Sequence, residues 1–174
     1  GRQWSGAFRI GASMIALHVL VGLLTLIWTP YDPTAMAGGR LEMPSMLHPA
    51  GTDRLGRDLL TLIMIGSRIA LIVGTGAVLI GGAIGITLGM LSAFASRTLD
   101  DALAATLDIM IAFPTLLLAM LIVAATDGAS LGTAVIAIGI ANSAIVARLT
   151  RILVKRVLGM DFITASRISG TSWP

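Results

Sequence analysis

The sequence predicts an all-α membrane protein, a bundle of apolar helices, and three observations carry that expectation. Of the 174 residues, 56% are hydrophobic and 12% are charged, a balance far from that of soluble domains. Four stretches, residues 10–28, 69–95, 109–126 and 129–147, contain no Asp, Glu, Lys or Arg. Each comes close to or exceeds the roughly 20 apolar residues with which a helix crosses a hydrocarbon core of about 30 Å. None alternates apolar and polar residues as barrel strands do, and in lipid only a helix or a closed barrel satisfies its own backbone.

The first stretch follows Arg2 and Arg9 and runs on to Trp28 without a small-residue cleavage pattern, so it reads as an anchor and not as a signal peptide. His18 within it has no second His, Asp or Glu at metal spacing and reads as an interhelical residue. Residues 29–68 form the first connection. Pro30, Pro33, Pro44 and Pro49, with Gly38 and Gly39, break regular structure as far as His48. Asp58 is then placed to cap a helix starting at Leu59, and Asp53 to pair with Arg57 four residues on.

In the second stretch Gly74, Gly81, Gly85 and Gly89 share one helix face, where small residues let two backbones approach closely. Asp100 and Asp108 stand near the entry of the third span, where the positive end of a helix dipole favours acids. Pro114 removes one backbone bond inside that span and predicts a kink, which either shapes a pathway or is a packing irregularity. Asn142 and Ser143 interrupt the fourth apolar run. Either they bond across to another helix or they line a path for a polar solute.

The chain then turns basic over residues 148–174, with Arg148, Arg151, Lys155, Arg156 and Arg167 set against Asp161. Counting Lys and Arg fixes an expected orientation. With the N-terminus inside, the cytoplasmic pieces hold Arg2, Arg9, Arg97 and those five, whereas the outside pieces hold Arg40, Arg54, Arg57 and Arg68. The basic segment is therefore expected in the cytoplasm, and residues 29–68 outside.

Several chemistries lack their residues. There is no cysteine, hence no disulfide and no thiolate metal or redox site. The one lysine, Lys155, is followed by Arg156, so no phosphate-cradling Gly-rich loop ending in Lys-Ser/Thr exists in this sequence. No paired carboxylates, Ser-His-Asp set or zinc pattern occurs, and the residues point to no enzyme, cofactor or metal. One Tyr and four Phe offer no stacking platform for nucleic acid. The spans lack the acids common in ion-coupled transporters, which favours an external energy source.

Two motifs carry a resemblance. Residues 51–58 read Gly-Thr-Asp-x-x-Gly-Arg-Asp, with Gly51, Thr52, Asp53, Gly56, Arg57 and Asp58 in the defining positions and Gly66-Ser67-Arg68 shortly after. This resembles the signature of the dipeptide, oligopeptide and nickel permeases, C-type subunits of bacterial ABC importers. Near the end, Thr164-Ala165-Ser166, then Gly170, resembles the Glu-Ala-Ala, three residues, Gly coupling loop of these permeases. Ala165 and Gly170 match, Ser166 is a small-for-small change, and Thr164 stands in place of the usual Glu.

The resemblance implies a helical bundle of the type I ABC importer permease (MetI-like) kind, in the cell (inner) membrane. It also implies a permease heterodimer, two ATPase subunits docked to the loop, and an extracytoplasmic binding protein delivering peptide. The residues expected to meet the ATPase are Thr164, Ala165, Ser166 and Gly170, flanked by Asp161 and Arg167. Pro114, Asn142 and Ser143 are candidates for the pathway lining. Such permeases have six membrane helices, of which four are expected in residues 1–174, so the domain is expected to be incomplete at its C-terminal side. Two other readings fit the residues: a non-energised scaffold or channel subunit, and an amphipathic helix over residues 151–168 held on anionic lipid.

Overall fold

A computed structural model describes residues 5–126, 130–161, 163 and 169, and the fold among them is helical. Five helices follow in order: α1 (Gly6–Leu24), α2 (Leu59–Phe94), α3 (Arg97–Ala112), α4 (Thr115–Ala124) and α5 (Leu131–Leu158). Two compact units divide the chain, residues 1–72 and 73–174, with α2 contributing to both. Three helices, α1, α2 and α5, are long and apolar enough to span a bilayer, and α3 with α4 forms a fourth candidate broken in the middle.

In the first unit, Ser5 caps α1 by accepting the Phe8 amide at 3.3 Å. The helix ends at Thr25, whose hydroxyl donates to the Gly22 carbonyl at 2.7 Å. Gly22 is the crossing point with α2, since a methyl group there would lie 2.5 Å from Leu71 Cδ1. Beside it the Arg68 guanidinium donates to the Thr25 carbonyl at 3.3 Å. The outer face of α1, including Ile10, Met14, Ile15 and Leu17, is exposed, as expected of a surface whose solvent is hydrocarbon. His18 is exposed as well, which corrects its reading as an interhelical residue within this chain.

α2 begins at Leu59, ten residues before the apolar run at Ile69, because Asp58 caps it. At about 1.5 Å per residue its 36 residues reach about 54 Å, more than a hydrocarbon core can hold. Arg68 thus lies in the helix and not in the connection.

In the second unit α5 is the central element. Its buried positions are nearly all small: Ala137, Gly139, Ala141, Ser143, Ala144 and Ala147. α4 packs Ala119, Leu118 and Ile122 on Ala137 and Ala141, and α3 packs Leu107 on Ala144 and Ala147. A reciprocal box starts α5: Ser130 Oγ accepts the Thr133 amide at 3.1 Å, while Thr133 Oγ1 accepts the Ser130 amide at 2.8 Å. The helix runs eleven residues past Ala147 to Leu158 and is capped by Gly159, with Lys155 and Arg156 in the last turn where cations suit the dipole. Residues 151–158 are therefore a continuation of α5, and no separate surface helix starts at Arg151.

The third expected span is corrected more strongly. α3 and α4 meet at an angle of 93° across Phe113 and Pro114, a break and not a kink. Proline disfavours helical ψ in the residue before it, and Phe113 accordingly sits at φ −78°, ψ 135°. Pro114, without an amide hydrogen, opens the next helix at φ −55°, ψ 124°. Asp108 lies deep in α3 and not at a helix entry, so the dipole account fails for it.

Candidate functional site

The signature loop builds itself almost entirely from its own defining residues. Gly51 and Gly56 have φ of +77° and +79°, a region that L side chains rarely adopt. A methyl group at either would also strike a carbonyl oxygen at 2.4 Å, that of Glu42 or of Gly38. Between them Thr52 bridges two strands of loop: its amide donates to the Glu42 carbonyl at 3.1 Å, and its hydroxyl donates to the Gly39 carbonyl at 2.6 Å and accepts the Glu42 amide at 2.8 Å. Asp53 closes the next turn by accepting the Leu55 and Arg57 amides at 2.7 and 2.9 Å. It also pairs with the Arg57 guanidinium at 2.7 Å, so the expected partnership forms. The Arg57 amide, more than any other group, holds the Asp53 carboxyl below the usual carboxylate range.

Asp58 does more than cap. One oxygen accepts the Thr61 amide and hydroxyl, both at 2.8 Å, and the other meets His48 Nδ1 at 3.0 Å. All three residues are buried. Burial acts to raise the Asp58 pKa, but the Thr61 and His48 hydrogen bonds outweigh it and the carboxyl titrates lower than usual. Tyr31 completes the network. Its ring lies 5.0 Å from that of His48, its hydroxyl donates to the Leu47 carbonyl at 2.8 Å, and its amide donates to Thr61 Oγ1 at 3.2 Å. The octapeptide thus nails the loop to the start of α2, while Arg54 and Leu55 at its tip stay exposed.

On the glycine face of α2 three of the four glycines meet α5 closely and one does not. Methyl groups at Gly81, Gly85 and Gly89 would lie 2.8, 2.7 and 2.5 Å from the carbonyl oxygens of Gly139, Ser143 and Ala147 on α5. The seam is therefore backbone against backbone. Gly74 is not in it, for nothing lies within 4 Å of its added methyl, whereas a methyl group at Gly76 would meet the Val135 side chain at 2.5 Å. Ser143 does not bond across the seam. Its hydroxyl turns back to the Ile140 carbonyl of its own helix at 2.7 Å, as mid-helix serines do. Asn142 borders an open cleft of about 460 Å³ next to Gly81, Gly82 and Val146. Pro114 is exposed at the α3–α4 break.

At the other end of α5 stands a cluster that the motifs do not announce. The Asp100 carboxylate, 7% exposed, receives Arg151 Nε at 2.6 Å and Arg151 Nη2 at 2.8 Å, the bidentate fork of a guanidinium on a carboxylate. Lys155 Nζ reaches the same group, and the fully buried Ser92 hydroxyl donates to it at 2.8 Å. One acid on α3 thereby joins the last turns of α2 to two successive turns of α5. Nearby, Arg148 pairs with Asp108 at 3.2 Å in an exposed bridge. The spacing of Arg151 and Lys155, four residues apart on one face, is the sequence signal for this cluster. The basic run is expected to meet a partner in the cytoplasm, yet two of its cations are engaged by Asp100 within this chain. Of the residues expected to dock an ATPase, Asp161 is exposed, whereas Thr164, Ala165, Ser166, Arg167 and Gly170 lie outside the described residues.

Helices packed through a small-residue seam, three of them long and apolar enough to cross a bilayer and a further pair broken in the middle, define a helical membrane protein. Residues 85–174 match the family described as binding-protein-dependent transport system inner membrane component, and the chain belongs to that family. Curated relatives agree. The chain is 38% identical over 169 residues to the di/tripeptide transport system permease protein DppC of Pseudomonas aeruginosa (strain UCBPP-PA14), covering 92% of this chain and 55% of the relative. It is 34% identical over 176 residues to the dipeptide transport system permease protein DppC of Haemophilus influenzae, covering 97% and 59%. It is 33% identical over 169 residues to the nickel transport system permease protein NikC of Escherichia coli (strain K12), covering 97% and 60%. The chain thus spans little more than half the length of the relatives it matches.

Proposed function

We propose that this chain forms part of the translocation pathway of an ATP-driven importer for small peptides. In this reading an extracytoplasmic binding protein delivers the peptide, a second permease subunit completes the pathway, and two separate ATPase subunits supply the energy. The observation that carries the reading is the 38% identity to a di/tripeptide permease over 92% of the chain, together with a complete signature loop. The N-terminus and the segment after Gly159 face the cytoplasm, where residues 161–170 meet an ATPase; the excess of Lys and Arg on that side supports this orientation. ATP binding closes the ATPases and biases the bundle between two states, a rearrangement to which the α2–α5 seam and the α3–α4 break both lend themselves.

A second reading replaces the peptide by a nickel complex, because a nickel permease is similar over 97% of this chain. The test is uptake in membranes carrying the full-length protein with its partner subunits, supplied in turn with a labelled dipeptide and with labelled nickel. ATP-dependent accumulation of dipeptide alone is expected. Accumulation of nickel alone selects the second reading, and a preparation that retains no ATPase and accumulates neither solute contradicts both.

A further inference from the structure

The Asp100 cluster has a geometry that a mere surface ion pair lacks. A carboxylate has about four lone-pair directions, and here all are taken: Ser92 and Arg151 Nε on one oxygen, Arg151 Nη2 and Lys155 on the other. The donors come from α2 and α5 and the acceptor from α3, so three helices of the second unit are tied at one group. Arg151 and Lys155 occupy successive turns of one α5 face. Sliding α5 past α3 by even one residue, about 1.5 Å, or rotating it, would strain both contacts together. Lys155 stands one turn before the α5 C-cap at Gly159, and the expected ATPase-docking residues lie from Asp161 to Gly170. From the cluster, α3 leads directly to the break at Phe113 and Pro114, and α2 leads to the glycine seam.

We infer that Asp100 is the positioning residue that transmits motion from the docking segment into the bundle, by making the base of α5 move as one body with the α2–α3 corner. The inference deepens the proposed function and rests on it. With the clamp intact, a displacement of residues beyond Gly159 must carry α3 and α2 along. With it broken, α5 can move alone, and ATP is spent without reopening the pathway. The exposed Arg148–Asp108 bridge next to it is no substitute, since it joins only α3 and α5 and engages no group on α2.

The test uses the full-length permease with its partner subunits, reconstituted in vesicles, and reads labelled dipeptide moved per ATP hydrolysed, ATPase retained in the complex and thermal midpoint. Asp100→Asn is expected to keep its ATPase and hydrolyse ATP while transport per ATP falls roughly tenfold, a coupling loss of ordinary size. Arg151→Lys, which loses the fork but keeps the charge, should fall between that variant and the wild type, and Asp100→Glu should recover part of the loss. An unchanged ratio in Asp100→Asn overturns the inference. So does loss of assembly in that variant if Asp100→Glu and Arg151→Lys keep the wild-type ratio, for the role is then structural. Absence of ATPase from the wild-type complex overturns this inference and the functional reading together, whereas the other outcomes leave that reading standing.

Discussion

Gly85 on α2 lies so close to Ser143 on α5 that a single methyl group at residue 85 would sit 2.7 Å from the Ser143 carbonyl oxygen. It would also lie 2.6 Å from Val146 Cβ, which cannot swing away as the end of a long side chain can. Overpacking of this kind costs roughly 1–3 kcal/mol, and more for a larger side chain. Gly85→Ala should lower the thermal midpoint of the purified full-length protein, and Gly85→Leu should block assembly or turnover. Gly74→Ala is the control, because its methyl group meets nothing within 4 Å and Ala favours a helix over Gly; it should not lower the midpoint. Equal effects at the two sites would show that the seam is not where the helices touch.

The signature loop makes an ordered prediction for its charged and glycine positions. Gly56→Ala forces a side chain into positive φ and against the Gly38 carbonyl, whereas Arg57→Ala removes one half-exposed partner of an ion pair, a small loss. Asp53→Ala should fall between them, as it also abandons the Leu55 and Arg57 amides. Limited proteolysis of the loop gives the ranking. Cleavage of Arg57→Ala as fast as Gly56→Ala would mean that side-chain charge, and not backbone shape, holds this turn.

Asp58 and His48 make a pH-dependent anchor. The Asp58 carboxyl titrates below its ordinary value of 3.8, so its contribution is fully present above that value and is lost as pH falls through the lower, folded-state value. Exchange of the Thr61 amide should therefore stay slow at neutral pH and accelerate only in strong acid. Asp58→Ala should make it fast at every pH, because it removes a helix cap worth about 1 kcal/mol and leaves buried His48 short of a partner. Slow exchange in that variant would deny the anchor.

Much of this architecture is legible in the order of residues. Charge-free runs reveal the spans, Asp53 and Arg57 at four-residue spacing reveal their pair, and the four-residue interval from Gly81 to Gly89 reveals the seam. What escapes is whatever depends on a partner far along the chain. Asp100 reads as an acid complementing a helix dipole until Arg151, fifty-one positions away, is seen bonded to it. Pro114 announces a disturbance, but its size depends on how α4 and α3 each find the small residues of α5. The end of α5 lies beyond the charge-free run because that run stops at Ala147 while helix formation does not: Leu149, Ile152, Leu153 and Val157 keep one side of the helix apolar beside the cations.

Contact between an ATPase and residues 161–170 is the central claim, and residues 1–174, free of cysteine, hold no competitor for a thiol introduced there. Ser166→Cys in the full-length protein places one thiol in the segment, to be tested with a short thiol cross-linker in membranes containing the partner subunits. The account predicts a covalent adduct with an ATPase subunit that changes in yield when ATP is added. A transport-competent complex in which Cys at that position and at Gly170 never cross-links to an ATPase would contradict it.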